Sequence, residues 1–157
     1  FLPERPEGMA YVSGGQGLGS TVDDYLAFAQ MFINAGTVNG YRLLQPETFR
    51  RMVTNCLNEN QRVKARWILT AGHGFGLGVA VVLDPLKAGP LPCGGGMGAV
   101  GWPGAFGGWW RADPNNKAVL LFLAHNMVEF EQLTTGTGLG VYDAISQFQA
   151  QASTLLR

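Results

Sequence analysis

The 157-residue chain carries 11 basic and 11 acidic side chains, so its formal net charge is zero at pH 7. Charged residues make up 14% of the chain, below the usual quarter, whereas 46% are hydrophobic. No basic patch indicates nucleic-acid binding, and no apolar run reaches the roughly 18–20 residues that cross a bilayer. The length fits one domain, and the low charge predicts that another polypeptide segment covers part of its surface.

The N-terminal part of the chain predicts a loop followed by a helix. Residues 1–19 are rich in proline and glycine, which is typical of a loop. Ser20 or Thr21 then caps a helix whose apolar residues recur at helical spacing. Gly36 is a natural end for this helix, because glycine tolerates the left-handed conformation that terminates many helices.

The next segment predicts a hairpin, a second helix and a loop. Asn39-Gly40 favours a two-residue turn between two short strands. Pro46 suits the first position of a helix, where its missing N–H costs nothing. Residues 55–72 show no apolar period and are predicted as a loop.

The second half of the chain predicts an antiparallel sheet and a terminal helix. Residues 74–84 alternate glycine with apolar residues and predict one long strand. The proline- and glycine-rich residues 85–97 predict a connection, and a helix is expected from Tyr142 to about Ala152. Further strands are predicted at 98–102, 105–112 and 117–124, the last covered on both faces. This order of elements favours an α+β fold with helices packed on the sheet.

The bend Trp102-Pro103-Gly104-Ala105 is the strongest candidate for a functional site. It joins two predicted strands and carries no ionisable side chain, so it suits a pocket wall and backbone N–H donors. For Trp102, core packing is the alternative to a pocket wall, and Trp109 and Trp110 are expected in the core. No serine begins Ser-x-x-Lys, and no tyrosine begins Tyr-x-Asn. The chain therefore predicts part of an active site without its nucleophile.

Neither metal nor cofactor chemistry is indicated by the remaining reactive residues. His73 and His125 have no second histidine or carboxylate at ligand spacing. Cys56 and Cys93 form no Cys-x-x-Cys pair, which leaves two free thiols or a single disulfide open. We therefore predict that the chain uses no cofactor and no metal.

Taken together, several motifs resemble the class C β-lactamase-like serine hydrolases. This group includes β-lactamase-related, family VIII-type esterases and is similar to penicillin-binding proteins. The resemblance covers nearly the whole chain from about Met9, and its motifs occur in the family's order. They are Gly14-Gly-x-Gly-Leu-x-Ser-Thr through Met31, Asn39-Gly40-x-Arg-Leu-Leu-x-Pro-Glu-Thr48, Gly74-Phe-Gly-Leu-Gly78, Gly101-Trp-Pro-Gly-Ala105 and the turn beginning Asp113-Pro.

The resemblance implies a β-lactamase/transpeptidase-like fold of which residues 1–157 form the C-terminal half. Residues 1–72 would end the helical region, and residues 73–157 would supply sheet strands and the C-terminal helix. The Ser-x-x-Lys and Tyr-x-Asn motifs would lie on an N-terminal half, present as a second chain or lost. We expect the fold to be incomplete without that partner.

The resemblance also implies roles for the bend. Residues 101–105 fall where the family carries its third motif, Lys-Thr-Gly or a variant. Ala105 would donate its backbone N–H to the oxyanion of an acyl-transfer reaction, and Gly104 would let substrate approach the strand. Trp102, Pro103 and Phe106 would line the substrate site.

The departure from the family motif bears on the substrate. Trp102 stands where a lysine or histidine holds a substrate carboxylate, and Pro103 lacks the hydroxyl of a threonine. This favours an esterase-like enzyme acting on a small neutral acyl ester or amide. The alternatives are β-lactamase or D-alanyl-D-alanine carboxypeptidase activity, or a non-catalytic binding protein of the same fold. Arg111 is either a substitute anion anchor or a plain surface arginine.

Overall fold

The computed structural model describes residue 8 and residues 18–156, so most of the predicted N-terminal loop lies outside the described residues. The helices are α1 (Val22–Ile33), α2 (Pro46–Met52), α3 (Glu59–Lys64), α4 (Phe130–Thr135) and α5 (Gly140–Leu155). The strands are β1 (Thr37–Val38), β2 (Tyr41–Arg42), β3 (His73–Phe75), β4 (Ala80–Val82), β5 (Val100–Pro103), β6 (Trp109–Asp113) and β7 (Ala118–Phe122). This is the α+β arrangement that the order of elements predicts.

Local sequence signals set the ends of α1. The Thr21 side chain accepts a hydrogen bond from the Asp24 N–H at 3.2 Å, so Thr21 rather than Ser20 is the N-cap. After the helix, Gly36 adopts a φ of 89° and donates its N–H to the Met31 carbonyl at 2.9 Å. Both predicted ends of this helix are therefore confirmed.

The hairpin and the second helix also follow their local signals. Asn39 and Gly40 both have positive φ, at 48° and 81°, as the predicted two-residue turn between β1 and β2 requires. Pro46 is the first residue of α2. Between α2 and β3, however, the predicted loop contains α3, whose capping box pairs Asn58 and Gln61 through two hydrogen bonds of 2.9 Å. An apolar period does not reveal this helix, because no residue of α3 is buried.

The main sheet is antiparallel, with the strand order β3-β4-β5-β6-β7. The prediction of one long strand over residues 74–84 is wrong, because the chain folds back and forms β3 and β4. In the connection, the Gly76 N–H donates to the Val79 carbonyl at 2.8 Å. A Cβ atom at Gly76 would lie 2.0 Å from the Met52 carbonyl oxygen, so the turn passes too close to α2 for another residue.

The two faces of the sheet are covered by different helices. On one face, Phe32 of α1 packs with Val100 and Trp110. On the other, Ile145 of α5 packs with Trp109. Both tryptophans are buried, which confirms their predicted place in the core.

Strand β7 lies at one edge of the sheet. Its N-terminal residue Ala118 is buried, but residues 119–122 remain half-buried. Helices α1 and α5 both pack against it. The predicted cover of this strand is therefore only partial. As an edge strand, β7 pairs with β6 on one side and has no strand on its other side within the described sheet.

Candidate active site

The candidate bend is a tight turn at the end of β5. Trp102 and Pro103 belong to the strand itself, paired with Trp110 and Trp109 of β6. The chain then reverses over residues 104–107, so the predicted bend at residues 102–105 starts two residues too early, and the strand predicted from residue 105 starts at Trp109. A ladder of two backbone hydrogen bonds closes the turn: Gly107 N–H to Gly104 oxygen at 3.0 Å and Gly104 N–H to Gly108 oxygen at 2.6 Å.

Ala105 is exposed at the second position of this turn. Among the described residues, no group accepts a hydrogen bond from the Ala105 N–H. Because a backbone donor without an internal partner is available to bind another acceptor, the geometry suits an oxyanion contact. The catalytic role of Ala105 stays a prediction.

Gly104 precedes this donor and is also exposed. A Cβ atom placed on it would meet nothing closer than the Gly108 carbonyl oxygen, at 3.4 Å, which is ordinary contact. The fold of the described residues therefore does not require glycine here. The role of Gly104 in letting a substrate approach the strand stays a prediction.

Trp102 is half-buried, and its indole ring meets the Phe75 ring edge-to-face at 5.0 Å between centroids. The ring packs beside the cluster that contains Ala80, Val82 and Cys93. The predicted core contact of Trp102 is therefore present, and its role as a pocket wall stays a prediction. Pro103 beside it is likewise half-buried.

The turn is anchored to a segment that the sequence does not single out. The Asn126 N–H donates to the Phe106 carbonyl oxygen at 2.8 Å, and the His125 ring lies 5.6 Å from the Phe106 ring. Gly107 has a φ of 80°, and a Cβ atom there would lie 2.9 Å from the Asn126 oxygen and 2.8 Å from Val141 Cγ2. Phe106 itself is 42% exposed beside Ala105. Since the Asn126–Phe106 hydrogen bond joins two backbone groups, no side-chain pattern predicts it.

Arg111 fits neither of its two sequence-based interpretations. Its side chain is buried, Nη1 donates to Gln149 Oε1 at 3.2 Å, and the guanidinium lies 6.0 Å from the centre of the Trp109 ring. Burial lowers the pKa of Arg111 from its ordinary value. Because these contacts hold Arg111 against α5, it is neither a surface arginine nor an anion anchor beside Ala105.

Asp113 ends β6 and organises the turn that follows. Burial opposes its ionisation, but the Gly96 N–H at 2.9 Å and Asn116 Nδ2 at 2.8 Å both donate to Asp113 Oδ2. These donors, with the charge of Arg111, leave the pKa of Asp113 below its ordinary value. The carboxylate therefore acts as an acceptor for the predicted turn at residues 113–116.

The histidines and cysteines lie in contrasting environments. His73 is buried, its Nδ1 lies 2.7 Å from Thr70 Oγ1, and burial lowers its pKa to about 4, whereas His125 is exposed. Cys56 is exposed and Cys93 is buried, and both are free thiols, which settles the open disulfide question for this structure. Within the described ranges, no cluster of three His, Cys, Asp or Glu side chains is arranged to hold a metal ion.

The serines of the described residues make only local contacts. Ser146 and Ser153 donate to carbonyls one turn earlier in α5, and Ser20 donates to the Thr21 carbonyl. None of the three hydroxyls contacts a basic side chain. The described part of the chain thus holds the Ala105 backbone donor but no serine hydroxyl in contact with a basic side chain. It also holds no helix long and apolar enough to span a membrane.

Comparison with solved structures shows that the chain shares the β-lactamase-like fold. EstCE1, a hydrolase with promiscuous acyltransferase activity, superimposes with a TM-score of 0.52 at 24% identity, over 79% of this chain and 29% of that chain. The unliganded simvastatin synthase LovD from Aspergillus terreus gives a TM-score of 0.52 at 16% identity, over 78% of this chain and 31% of that chain. At these identities the likeness shows the fold alone.

Comparison of the sequence gives the family. The Beta-lactamase family matches residues 2–139, and the chain belongs to this family. Two curated proteins of Mycobacterium tuberculosis, the uncharacterized protein MT1414 of strain CDC 1551 / Oshkosh and protein Rv1367c of strain ATCC 25618 / H37Rv, are each 44% identical over 119 residues. The match covers 73% of this chain and 29% of each relative. The chain thus aligns with less than a third of those proteins.

Proposed function

We propose that this chain supplies the oxyanion-binding side of a serine hydrolase that cleaves esters or amides through an acyl-enzyme. The single observation that carries the proposal is the N–H of the exposed residue Ala105, which has no acceptor among the described residues and follows Trp102-Pro103-Gly104 at the end of β5. Membership of the Beta-lactamase family supports a hydrolase at this coarse level.

In the proposed reaction, the nucleophilic serine lies on polypeptide N-terminal to residue 1, in the same molecule or in a second chain. Its hydroxyl oxygen attacks the substrate carbonyl carbon while a base on the same N-terminal polypeptide takes the hydroxyl proton, and the carbonyl π electrons move onto the carbonyl oxygen. The Ala105 N–H and the N–H of the serine itself stabilise that oxyanion. The carbonyl then re-forms, the alcohol or amine leaves with a proton, and water later releases the acid and regenerates the serine.

The side chains beside Ala105 favour neutral substrates. Trp102 and Phe106 are aromatic, and Pro103 has neither a hydroxyl nor an N–H to offer a substrate. The nearest arginine in sequence, Arg111, is buried against Gln149 and does not supply a charge to the turn. We therefore assign the pocket to small uncharged acyl groups, with p-nitrophenyl esters preferred over a chromogenic cephalosporin.

The turn geometry permits a substitution that removes the N–H donor of residue 105 and keeps the turn. Ala105 is the second residue of a β-turn closed by the Gly107-to-Gly104 hydrogen bond, a position that favours proline. Ala105→Pro therefore keeps the turn but deletes the N–H donor, whereas Ala105→Ser keeps the donor. Loss of one oxyanion donor lowers kcat by about 100- to 1000-fold.

The measurement is hydrolysis of p-nitrophenyl butyrate by the intact protein, with fluorophosphonate labelling to locate the nucleophile. We expect Ala105→Ser to keep at least about half the native kcat, and Ala105→Pro to lose two to three orders of magnitude at unchanged melting temperature. Equal activity of both variants would reject the role of Ala105. Absence of labelling and of turnover in the native protein would instead favour a binding protein of this fold.

A further inference from the structure

A second surface of the chain, remote in sequence from the turn at Ala105, combines exposed apolar and basic side chains. It is formed by α3 and the turn after it, residues 59–69. Hydrogen bonds from the Ile68 and Leu69 N–H groups to the Ala65 carbonyl, at 2.9 and 2.8 Å, continue the helical path by one turn. Side-chain positions in this segment therefore follow helical spacing.

The inward side of this segment packs against the core of the fold. Leu69 is buried in the cluster with Val82 and Cys93, and Ala65 packs against the same cluster. The outward side presents the apolar side chains Val63, Trp67 and Ile68, and Val63 lies four residues before Trp67 and five before Ile68. Trp67 is 72% exposed, Val63 48% and Ile68 37%, and we call this set the Trp67 face.

Basic side chains flank the Trp67 face. Lys64 and Arg66 are exposed, and within residues 18–156 neither forms an ion pair. Arg62 donates to the carbonyl oxygens of His73 and Ala71 at 3.2 and 3.1 Å, so its charge is not neutralised by an acid. A cavity of about 50 Å³ lies between Arg62 and Arg66, with Glu59 the one acidic residue at its lining.

We propose that the Trp67 face binds the surface of an anionic lipid bilayer. Exposed tryptophan and aliphatic side chains with flanking lysine and arginine are the composition of helices that lie in the headgroup region, where the rings enter the interface and the cations meet phosphates. Tryptophan and arginine are also enriched at protein interfaces, but lysine is depleted there, so the exposed Lys64 beside Trp67 favours a lipid surface. Arg62 and Arg66 would contact headgroup phosphates at the cavity between them.

The test measures sedimentation of the intact protein with vesicles at about 0.1 M salt, a concentration at which surface charges still act over roughly 10 Å. Vesicles of phosphatidylglycerol mixed with phosphatidylcholine are compared with phosphatidylcholine alone. Since each basic residue near an anionic surface contributes about 1 kcal/mol, Lys64→Glu with Arg66→Glu is expected to weaken binding at least roughly 20-fold. The matched control, Arg50→Glu with Arg51→Glu, changes net charge equally on exposed α2 residues and is expected to stay within about three-fold of native.

A second pair of variants tests the apolar contribution. Trp67→Ser is expected to weaken vesicle binding at least about five-fold, whereas Tyr41→Ser, at a residue 80% exposed on β2, leaves it unchanged. The proposal is overturned if the native protein does not bind anionic vesicles, or if the two charge variants lose binding equally. It is also overturned if Trp67→Ser leaves vesicle binding intact. A native protein that binds no vesicles but forms a dimer, which Trp67→Ser disrupts, would likewise overturn it.

Discussion

Gln149 of α5 bridges two parts of the structure that are distant in sequence. Its Oε1 accepts a hydrogen bond from Arg111 Nη1 at 3.2 Å, and its Nε2 donates to the Pro90 carbonyl at 2.8 Å. Gln149 and Arg111 are both buried. One amide therefore holds the terminal helix, strand β6 and the connection before β5 together.

Replacing this amide should destabilise the fold. Gln149→Leu leaves one buried guanidinium N–H of Arg111 without its partner and removes the donor to the Pro90 carbonyl, so we expect the free energy of unfolding to fall by about 2–3 kcal/mol. Gln147→Leu, at an exposed position two residues earlier in α5, is the matched control and should change stability by less than about 0.5 kcal/mol. Urea denaturation of both variants measures the difference, and equal midpoints would contradict the bridging role.

The substitution Gly104→Ala should lower activity without lowering stability. Because the nearest atom to an added methyl group would be 3.4 Å away, Gly104→Ala should leave the melting temperature within about 2 °C of native. The same methyl group would stand beside Ala105, so kcat/KM for esters should fall at least about ten-fold. Gly140→Ala, where the added Cβ meets nothing within 4 Å, is the control for both measurements. A large loss of stability in Gly104→Ala would instead assign this glycine to the fold.

His73 predicts how stability depends on pH. Burial lowers its pKa to about 4 in the folded state, against an ordinary value of 6.5, so the unfolded chain binds the additional proton between these values. Stability from this residue is present above pH 6.5 and is lost as the pH falls towards 4, by about 2–3 kcal/mol in total. His73→Gln should therefore flatten the stability profile in this window. His125→Gln, at an exposed position, should keep the native slope; equal slopes in all three proteins would contradict the assignment.

The two thiols should differ in reactivity. Cys56 is exposed, whereas burial raises the pKa of Cys93 to about 12, which leaves almost no thiolate at neutral pH. Iodoacetamide applied to the native protein at pH 8 should label Cys56 and spare Cys93, as read by peptide mapping. Labelling of both residues should appear only after denaturation, and rapid native labelling of Cys93 would show that its site opens.

Features governed by neighbouring residues could be predicted from the sequence. The cap at Thr21, the Asn39-Gly40 turn and the start of α2 at Pro46 each depend on hydrogen bonds or dihedral limits within about four residues. The position of Trp109 and Trp110 in a predicted strand likewise placed them in the core, where both are buried. Helix α3 was missed, since its capping box lacks an apolar face to mark the helix.

Other features depended on contacts between distant segments. Residues 74–84 alternate like one strand, but the turn between β3 and β4 depends on Gly76 passing the Met52 carbonyl of α2. Arg111 could be assigned only once α5 brought Gln149 against β6. In both cases the deciding atom belongs to another element of the fold.

The sequence by itself determined the family motifs, the Thr21 cap, the Asn39-Gly40 turn and the start of α2 at Pro46, because these follow from local geometry and residue chemistry. Only the tertiary structure decided that the Ala105 N–H has no acceptor among the described residues, while Asn126 holds the neighbouring Phe106 carbonyl. Every non-proline residue carries the same backbone groups, so the sequence does not distinguish a satisfied donor from a free one. The packing of the chain around the turn makes that distinction.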